Sequence, residues 1–288
     1  METPLCIICG SNMSTPFIQI TDRFGDESFQ IVNCECGFKY LSPRPELNEI
    51  SSYYEDGNYD PHRTYNKSFF EKVYGWVQKK ALKWKFTYIS KFVTSGSLLD
   101  IGGGSGEFCA YFKSKGWTTV LQDSSEKARK NANSADITAY GLLSDINNEK
   151  FNLITMWHSL EHIHNISDLF ANIDRLINID GTLVVAVPNA NAPERFFLKE
   201  NWAPWDAPRH LYHFSFCQID RLLLKYGWKI QSSKTMVQDT PYNILLSLKS
   251  NSPLQLIFGG FILLYSLIKS AVFGVSSSSS FMLICKRI

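Results

Sequence analysis

The chain has 288 residues, 44% hydrophobic and 19% charged, with 29 basic against 27 acidic side chains and a formal net charge of +2. That length holds one sizeable domain with a small appendage, and so small a net charge, without a Lys/Arg stripe, argues against a nucleic-acid partner. Seven cysteines, with no basic segment and short apolar run opening the chain, point to reduced thiols, metal binding rather than disulfides, and a cytoplasmic location.

Residues 1–44 read as a separate, zinc-ribbon-like unit. Cys6 and Cys9 precede Gly10, Cys34 and Cys36 precede Gly37, and a polar hairpin-like stretch lies between the pairs. Four thiolates in two close pairs suit tetrahedral zinc, and a glycine after each pair permits a tight turn. The second pair has a one-residue spacer where zinc ribbons usually have two. Cys109, Cys217 and Cys285 stand alone in apolar segments and read as small core residues.

Ser42-Pro43-Arg44-Pro45 reads as a linker, and residues 45–95 as a helical lid or linker, helical from 47 to 92 and rich in aromatic residues (Tyr53, Tyr54, Tyr65, Phe69, Phe70, Tyr74, Trp76). The span 96–288 forms the main domain. Strands are expected at 97–101, 118–122, 137–140, 151–157 and 182–187, alternating with helices at 107–115, 125–133 and 166–177. This alternation predicts an α/β fold, a Rossmann-like, doubly wound, mostly parallel seven-stranded sheet. A polar and aromatic insertion at 189–215 follows, then a helix at 216–226 capped by Ser215, with strands near 228–237 and 281–286 completing the sheet. The apolar helix at 254–275 leaves three readings open for residues 254–273: a core-packing or lid helix, a peripheral membrane contact, or a span.

The chemistry concentrates at the end of the first main-domain strand. Leu98-Leu99-Asp100-Ile101-Gly102-Gly103-Gly104-Ser105-Gly106 carries an apolar run into a carboxylate, a glycine turn and a helix start. Glycines let backbone approach a ligand, and the helix start offers free N–H groups. Dinucleotide enzymes use such a turn with G-x-G-x-x-G spacing. Counted from Gly102, that spacing puts Glu107 in place of the third glycine, which disfavours a nucleotide-dependent oxidoreductase or epimerase. Asp100 would repel a pyrophosphate but attract a cation, such as the ammonium or sulfonium of S-adenosylmethionine. Asp123 closes the next strand, where an acid can hold both ribose hydroxyls.

Together these segments resemble the class I S-adenosylmethionine-dependent methyltransferases, and more narrowly the branch with a four-cysteine N-terminal segment, often found among enzymes of surface-polysaccharide synthesis. The resemblance extends through residues 151–162 and 181–189, and is most discriminating at Trp205 to Ser215, ending His210-Leu211-Tyr212-His213-Phe214-Ser215. It implies that Gly102, Gly104 and Gly106 line the methionine and ribose end of the cofactor with Asp100 nearby. It further implies that Asp123 takes the ribose diol, Leu142 to Asp145 flank the adenine, and His158 faces the methyl-donor end. The family's usual aspartate after the phenylalanine of the 151–157 strand is Asn152 here, at a position expected to be structural.

Methyl transfer from a sulfonium needs mainly a positioned acceptor and excluded water. A hydroxyl acceptor also gains from a base, for which His162, His210 and His158 are the candidates, with His213 beside them. Each could instead fix a loop by hydrogen bonds. His158-Ser159-Leu160-Glu161-His162 also matches the inverted zinc-protease pattern, but that pattern needs one helix and here the first histidine closes a strand. The expected activity is methylation of a small molecule, a sugar or sugar-nucleotide hydroxyl or carbon, in surface-polysaccharide biosynthesis. The alternatives are O-methylation of a quinone, phenol or lipid-linked glycan by a membrane-associated enzyme, and an inert zinc-containing cofactor-binding module.

Overall fold

Apolar runs long enough for one strand each, separated by helix-forming stretches, build a sheet covered on both faces. In the computed structural model, which describes residues 1–55, 70–147, 149–250 and 252–288, the chain opens with β1 (Ser14–Thr21), β2 (Ser28–Cys34) and β3 (Lys39–Leu41). Helices α1 (Ser52–Glu55) and α2 (Phe70–Ile89) follow. Then come β4 (Ser97–Ile101), α3 (Glu107–Lys113), β5 (Thr118–Gln122), α4 (Glu126–Ser134) and β6 (Thr138–Tyr140). β7 (Phe151–Trp157), α5 (Ile166–Leu176), β8 (Ile177–Pro188), α6 (Arg195–Leu198) and β9 (Tyr212–His213) continue the chain. It closes with α7 (Phe216–Lys225), β10 (Trp228–Thr235), α8 (Asp239–Ser247), α9 (Pro253–Phe273) and β11 (Ser280–Arg287).

Seven strands form the main sheet in the order β10-β11-β8-β7-β4-β5-β6. β8, β7, β4, β5 and β6 run parallel, and β11 is antiparallel to both of its neighbours. This is the expected doubly wound, mostly parallel architecture. The strand order reverses at β4, whose neighbours are β5 on one side and β7 on the other, so ligands belong at the carboxyl ends of these strands. Phe108, Cys109 and Phe112 of α3 pack on one face with Leu98 of β4. Leu169, Phe170, Ile173 and Leu176 of α5 pack on the other with Leu99 and Ile101. Side chains cap the helices: Ser125 accepts from the Ala128 N–H and Asn165 from the Asp168 N–H. Asn152 is structural as expected, its Oδ1 accepting the Ser97 N–H at 3.0 Å.

Five expectations change. The cysteine segment is not a separate unit, because β1-β2-β3 continues into β9 of the 189–215 insertion as a four-stranded sheet. Ser42 to Pro45 is not a free linker: Arg44 is buried, donating to Glu2 at 2.6 Å and to the Tyr212 hydroxyl at 2.8 Å. The region from 47 to 92 is not one helix, since turns occupy 47–51 and the described helices are α1 and α2; Tyr65 and Phe69, and the side chains of Phe70, Tyr74 and Trp76, lie outside the described residues. Cys217 is exposed on α7 rather than in the core, while Cys109 and Cys285 are buried. Finally, α9 is not a core-packing helix along its length: it puts Ile262 into the core and leaves most of its apolar side chains exposed.

Candidate active site

Three chain segments converge at the carboxyl ends of β4, β5 and β7. After β4 the turn takes Gly102, Gly104 and Gly106 through φ of 69°, 56° and 82°, the left-handed region that favours glycine. A Cβ on Gly102 would stand 2.6 Å from that of Ser159, so the turn is pressed against the segment leaving β7. Among the described residues nothing lies within 4 Å of a Cβ on Gly104. Gly106 instead faces Ile137 and Ala132, so its missing side chain serves packing against α4. Gly103, which sequence reasoning passed over, has no room either, a Cβ there meeting Leu121 and Asp100.

Asp123 spans the turn. Its Oδ2 accepts the Gly104 N–H at 2.9 Å and its Oδ1 the Ser125 N–H at 2.8 Å. Asp100 is buried and accepts from the Thr155 hydroxyl at 2.5 Å. Burial raises its carboxyl to about 7 against the opposing pull of Thr155 and Lys85. Lys85 of α2 sits 3.7 Å over the Trp157 ring at the end of β7, an ammonium held by an aromatic face with Asp100, Asp239 and Glu107 around it. Leu142 is exposed beside the short helical turn Leu143–Asp145, past the end of β6.

The three histidine candidates come together around one acid, Glu161. His158, with φ of 51°, places Nδ1 3.6 Å from Glu161 Oε1 and Nε2 3.1 Å from Asp239 Oδ2. Burial works to lower its pKa, but the two carboxylates prevail and raise it to about 9. His158 is therefore an imidazolium at neutral pH and is not a resting base. His162 Nδ1 lies 3.0 Å from the Arg209 carbonyl and 2.9 Å from the Tyr54 hydroxyl, so its N–H donates there and Nε2 keeps its lone pair. Burial and the neighbouring His210 lower it to about 4. His210 Nδ1 bonds the Pro204 carbonyl at 2.8 Å, which leaves the lone pair on Nε2 in the same way. The two rings meet edge to face, 4.6 Å apart.

Glu161 is 1% exposed, and neither carboxylate oxygen has a hydrogen-bond partner among the described residues. Burial alone would raise its pKa, yet the three surrounding histidines hold it below the ordinary range. One ligand atom each from Glu161, His162 and His210 lie within 4.8 Å of one another, close enough for one cation to touch all three. The H-x-x-E-H stretch is split between the end of β7 and the short helical turn Leu160–His162, which does not fit the one-helix protease geometry. His213 is buried in β9 against Trp205 and takes no part in the cluster. Sequence reasoning missed Glu161 as the centre, and also Asp239, Lys85 and Trp157. The first lay inside a motif read for its histidines, and the others reach the site from distant elements.

In the N-terminal sheet, Cys6 Sγ and Cys36 Sγ are 3.6 Å apart and Cys9 Sγ and Cys34 Sγ 3.5 Å. All four sulfurs fall within 4.8 Å of one another, against an edge of about 3.8 Å for a tetrahedron with zinc–sulfur bonds of about 2.3 Å. The donor set and spacing fit zinc. A surface hollow of about 310 Å³ beside Asn152, Asp180 and Lys286 lies at the amino ends of the strands, away from these groups.

Fold and strand order define a doubly wound, mostly parallel α/β fold whose site lies at the carboxyl ends of the central strands. Residues 75–233, more than half the chain, match the model of the methyltransferase domain family, and the chain belongs to that family as a methyltransferase enzyme. Among solved structures it resembles the mycolic acid cyclopropane synthase CmaA1 complexed with SAH and CTAB, at 13% identity and a TM-score of 0.52, covering 79% of this chain and 91% of that one. It is similar to the same extent to the cyclopropane synthase MmaA2 from Mycobacterium tuberculosis, with 13% identity, a TM-score of 0.52, and 73% and 84% of the two chains covered. These likenesses concern the fold. No curated protein matches the sequence.

Proposed function

We propose that the enzyme transfers a methyl group from S-adenosylmethionine to a hydroxyl of a sugar or sugar nucleotide, as in surface-polysaccharide synthesis. The observation that carries the cofactor assignment is a cation held at the carboxyl ends of the strands: Lys85 lies over Trp157 with Asp100, Asp239 and Glu107 around it. A place that holds one ammonium among acids and an aromatic face suits the ammonium and sulfonium of that cofactor. In this reading Asp100 attracts the cationic end, Gly102 and Gly104 border it, Asp123 receives the ribose hydroxyls, and Leu142 flanks the adenine. The cyclopropane synthase CmaA1, similar in fold, is complexed with SAH, which agrees with this cofactor.

S-adenosylmethionine, when bound, supplies an electrophilic methyl group and needs no further activation. The chain's task is to hold the acceptor in line, exclude water and receive a proton. His162 and His210 offer Nε2 lone pairs, and Glu161 between them stabilises the positive charge that proton acceptance creates. His158, an imidazolium fixed by Asp239 and Glu161, donates to an acceptor oxygen rather than withdrawing its proton. So polar a cluster suits a hydroxylated acceptor. The four clustered cysteines, whose spacing suits a structural zinc, support assignment to the four-cysteine branch. A labelled-methyl assay over a panel of nucleotide sugars tests the reading. Label on a sugar supports it; label entering only phenols or quinones overturns the acceptor class, and none transferred to any acceptor favours an inert binding module.

A further inference from the structure

α9 has the polarity of a water-soluble helix reversed. Its buried positions are Gly259, Ile262, Ser266 and Ser270, three of them small or polar, and Ser266 lies against the fully buried carboxyl of Glu194. On the opposite side Leu254, Ile257, Phe261, Leu264, Ile268 and Val272 recur every three or four residues and are all exposed. A helix made for water turns such a stripe inward. Exposed Phe196 of α6 and Leu245 of α8 widen the patch on either side, α6 touching α9 through Phe197 and Phe261, and α8 through Ile244 beside Gly259. Exposed apolar surface this continuous marks an interaction site.

We propose that this face docks on a lipid bilayer carrying anionic headgroups, with α9 lying in the plane of the interface. A second copy of the chain is the competing occupant, and the flanks of the stripe argue against it. Paired helices in water border their seam with charged residues, whereas Lys269 is the only charge in the 21 residues of α9. That lysine lies along Tyr265 and Phe273, 5.7 and 4.9 Å from their ring centroids, as a side chain does when its stem is apolar and its head seeks the headgroup level. The charge is of one sign. From Thr240 through the end of α9 at Phe273 there is no aspartate or glutamate, and the charged residues are Lys249, just before the helix, and Lys269 within it.

The helix cannot cross the bilayer in this fold, since both ends are tied to the same body. Before it, Ser247 of α8 accepts the Ala203 N–H at 2.8 Å. After it, the buried Asn189 donates to the carbonyls of Val275, Ser276 and Ser278, next to β11 in the main sheet. α8, which adjoins α9, begins with Asp239, the partner of His158. A docked enzyme would thus hold its acceptor end close to the lipid surface.

Flotation of the full chain through a density gradient tests this, using phosphatidylcholine vesicles with and without phosphatidylglycerol. The chain should rise with the anionic vesicles, less with the neutral ones, and less again at high salt. Ile257→Ser, Leu264→Ser and Ile268→Ser combined should lower vesicle partition by about tenfold or more without shifting the thermal midpoint, because these side chains are exposed. A wild-type chain left at the bottom with both vesicles would overturn the proposal. So would a concentration-dependent dimer abolished by the same substitutions without vesicle binding, or native-membrane association resistant to alkaline carbonate, which indicates a span.

Discussion

Asp100 carries the electrostatics of the glycine turn. In the free protein burial lifts its carboxyl to about 7, so near neutral pH it is divided between a neutral acid and a carboxylate. Only the carboxylate attracts a cation. Affinity for S-adenosylmethionine should therefore rise as pH increases toward and through 7 and level off above it, with proton release on binding at the lower end. Titration calorimetry between about pH 5.5 and 8.5 measures this. Asp100→Asn should bind more weakly and with a flat profile; the wild-type slope persisting in the variant would assign the titration to another group. At the histidine cluster, His162→Gln with His210→Gln should lower turnover about a hundredfold while leaving cofactor affinity intact. Unchanged turnover would assign both rings to loop anchoring, consistent with their bonds to the Arg209 and Pro204 carbonyls.

Among the elements, the aromatic insertion fastens the cysteine sheet to the active site. Arg209 is fully buried, bonded to Asp22 of the N-terminal region at 2.5 Å and to Asp206 at 2.9 Å, with Phe24 stacked 4.8 Å away. Two residues on, the Leu211 N–H donates to the Glu161 carbonyl, and its own carbonyl accepts the Leu41 N–H. Arg209→Met removes the partner of the buried Asp22 and the partly buried Asp206 and should destabilise the chain by about 3–5 kcal/mol, read by denaturant unfolding. Metal analysis should find about one zinc per chain, lost in Cys34→Ser. Because β9 completes the cysteine sheet, that loss should also lower the thermal midpoint of the whole chain; an unchanged midpoint would mean that the cysteine sheet contributes little to the stability of the rest.

Across the whole molecule, what could be read from the sequence divides by contact range. β4, β5 and β7 have the bounds their apolar runs imply, since central parallel strands are buried on both faces and betray themselves in sequence. The glycine turn and Asp123 were legible because their chemistry is local. β9 was not, because its partner β3 lies some 170 residues earlier and two residues of backbone pairing leave no periodicity. The gathering of His158, His162 and His210 around Glu161 escaped for the same reason, as did the arrival of Asp239 and Lys85 from distant helices. For α9 the sequence showed length and apolarity, while its buried small residues and exposed stripe emerge only in the packed structure. Everything proposed for the site depends on a cationic methyl donor at the turn after β4, and calorimetric titration of the full chain with S-adenosylmethionine, S-adenosylhomocysteine and NAD is the decisive measurement. One site per chain is expected for the first two and none for NAD; binding of NAD alone would contradict the assignment.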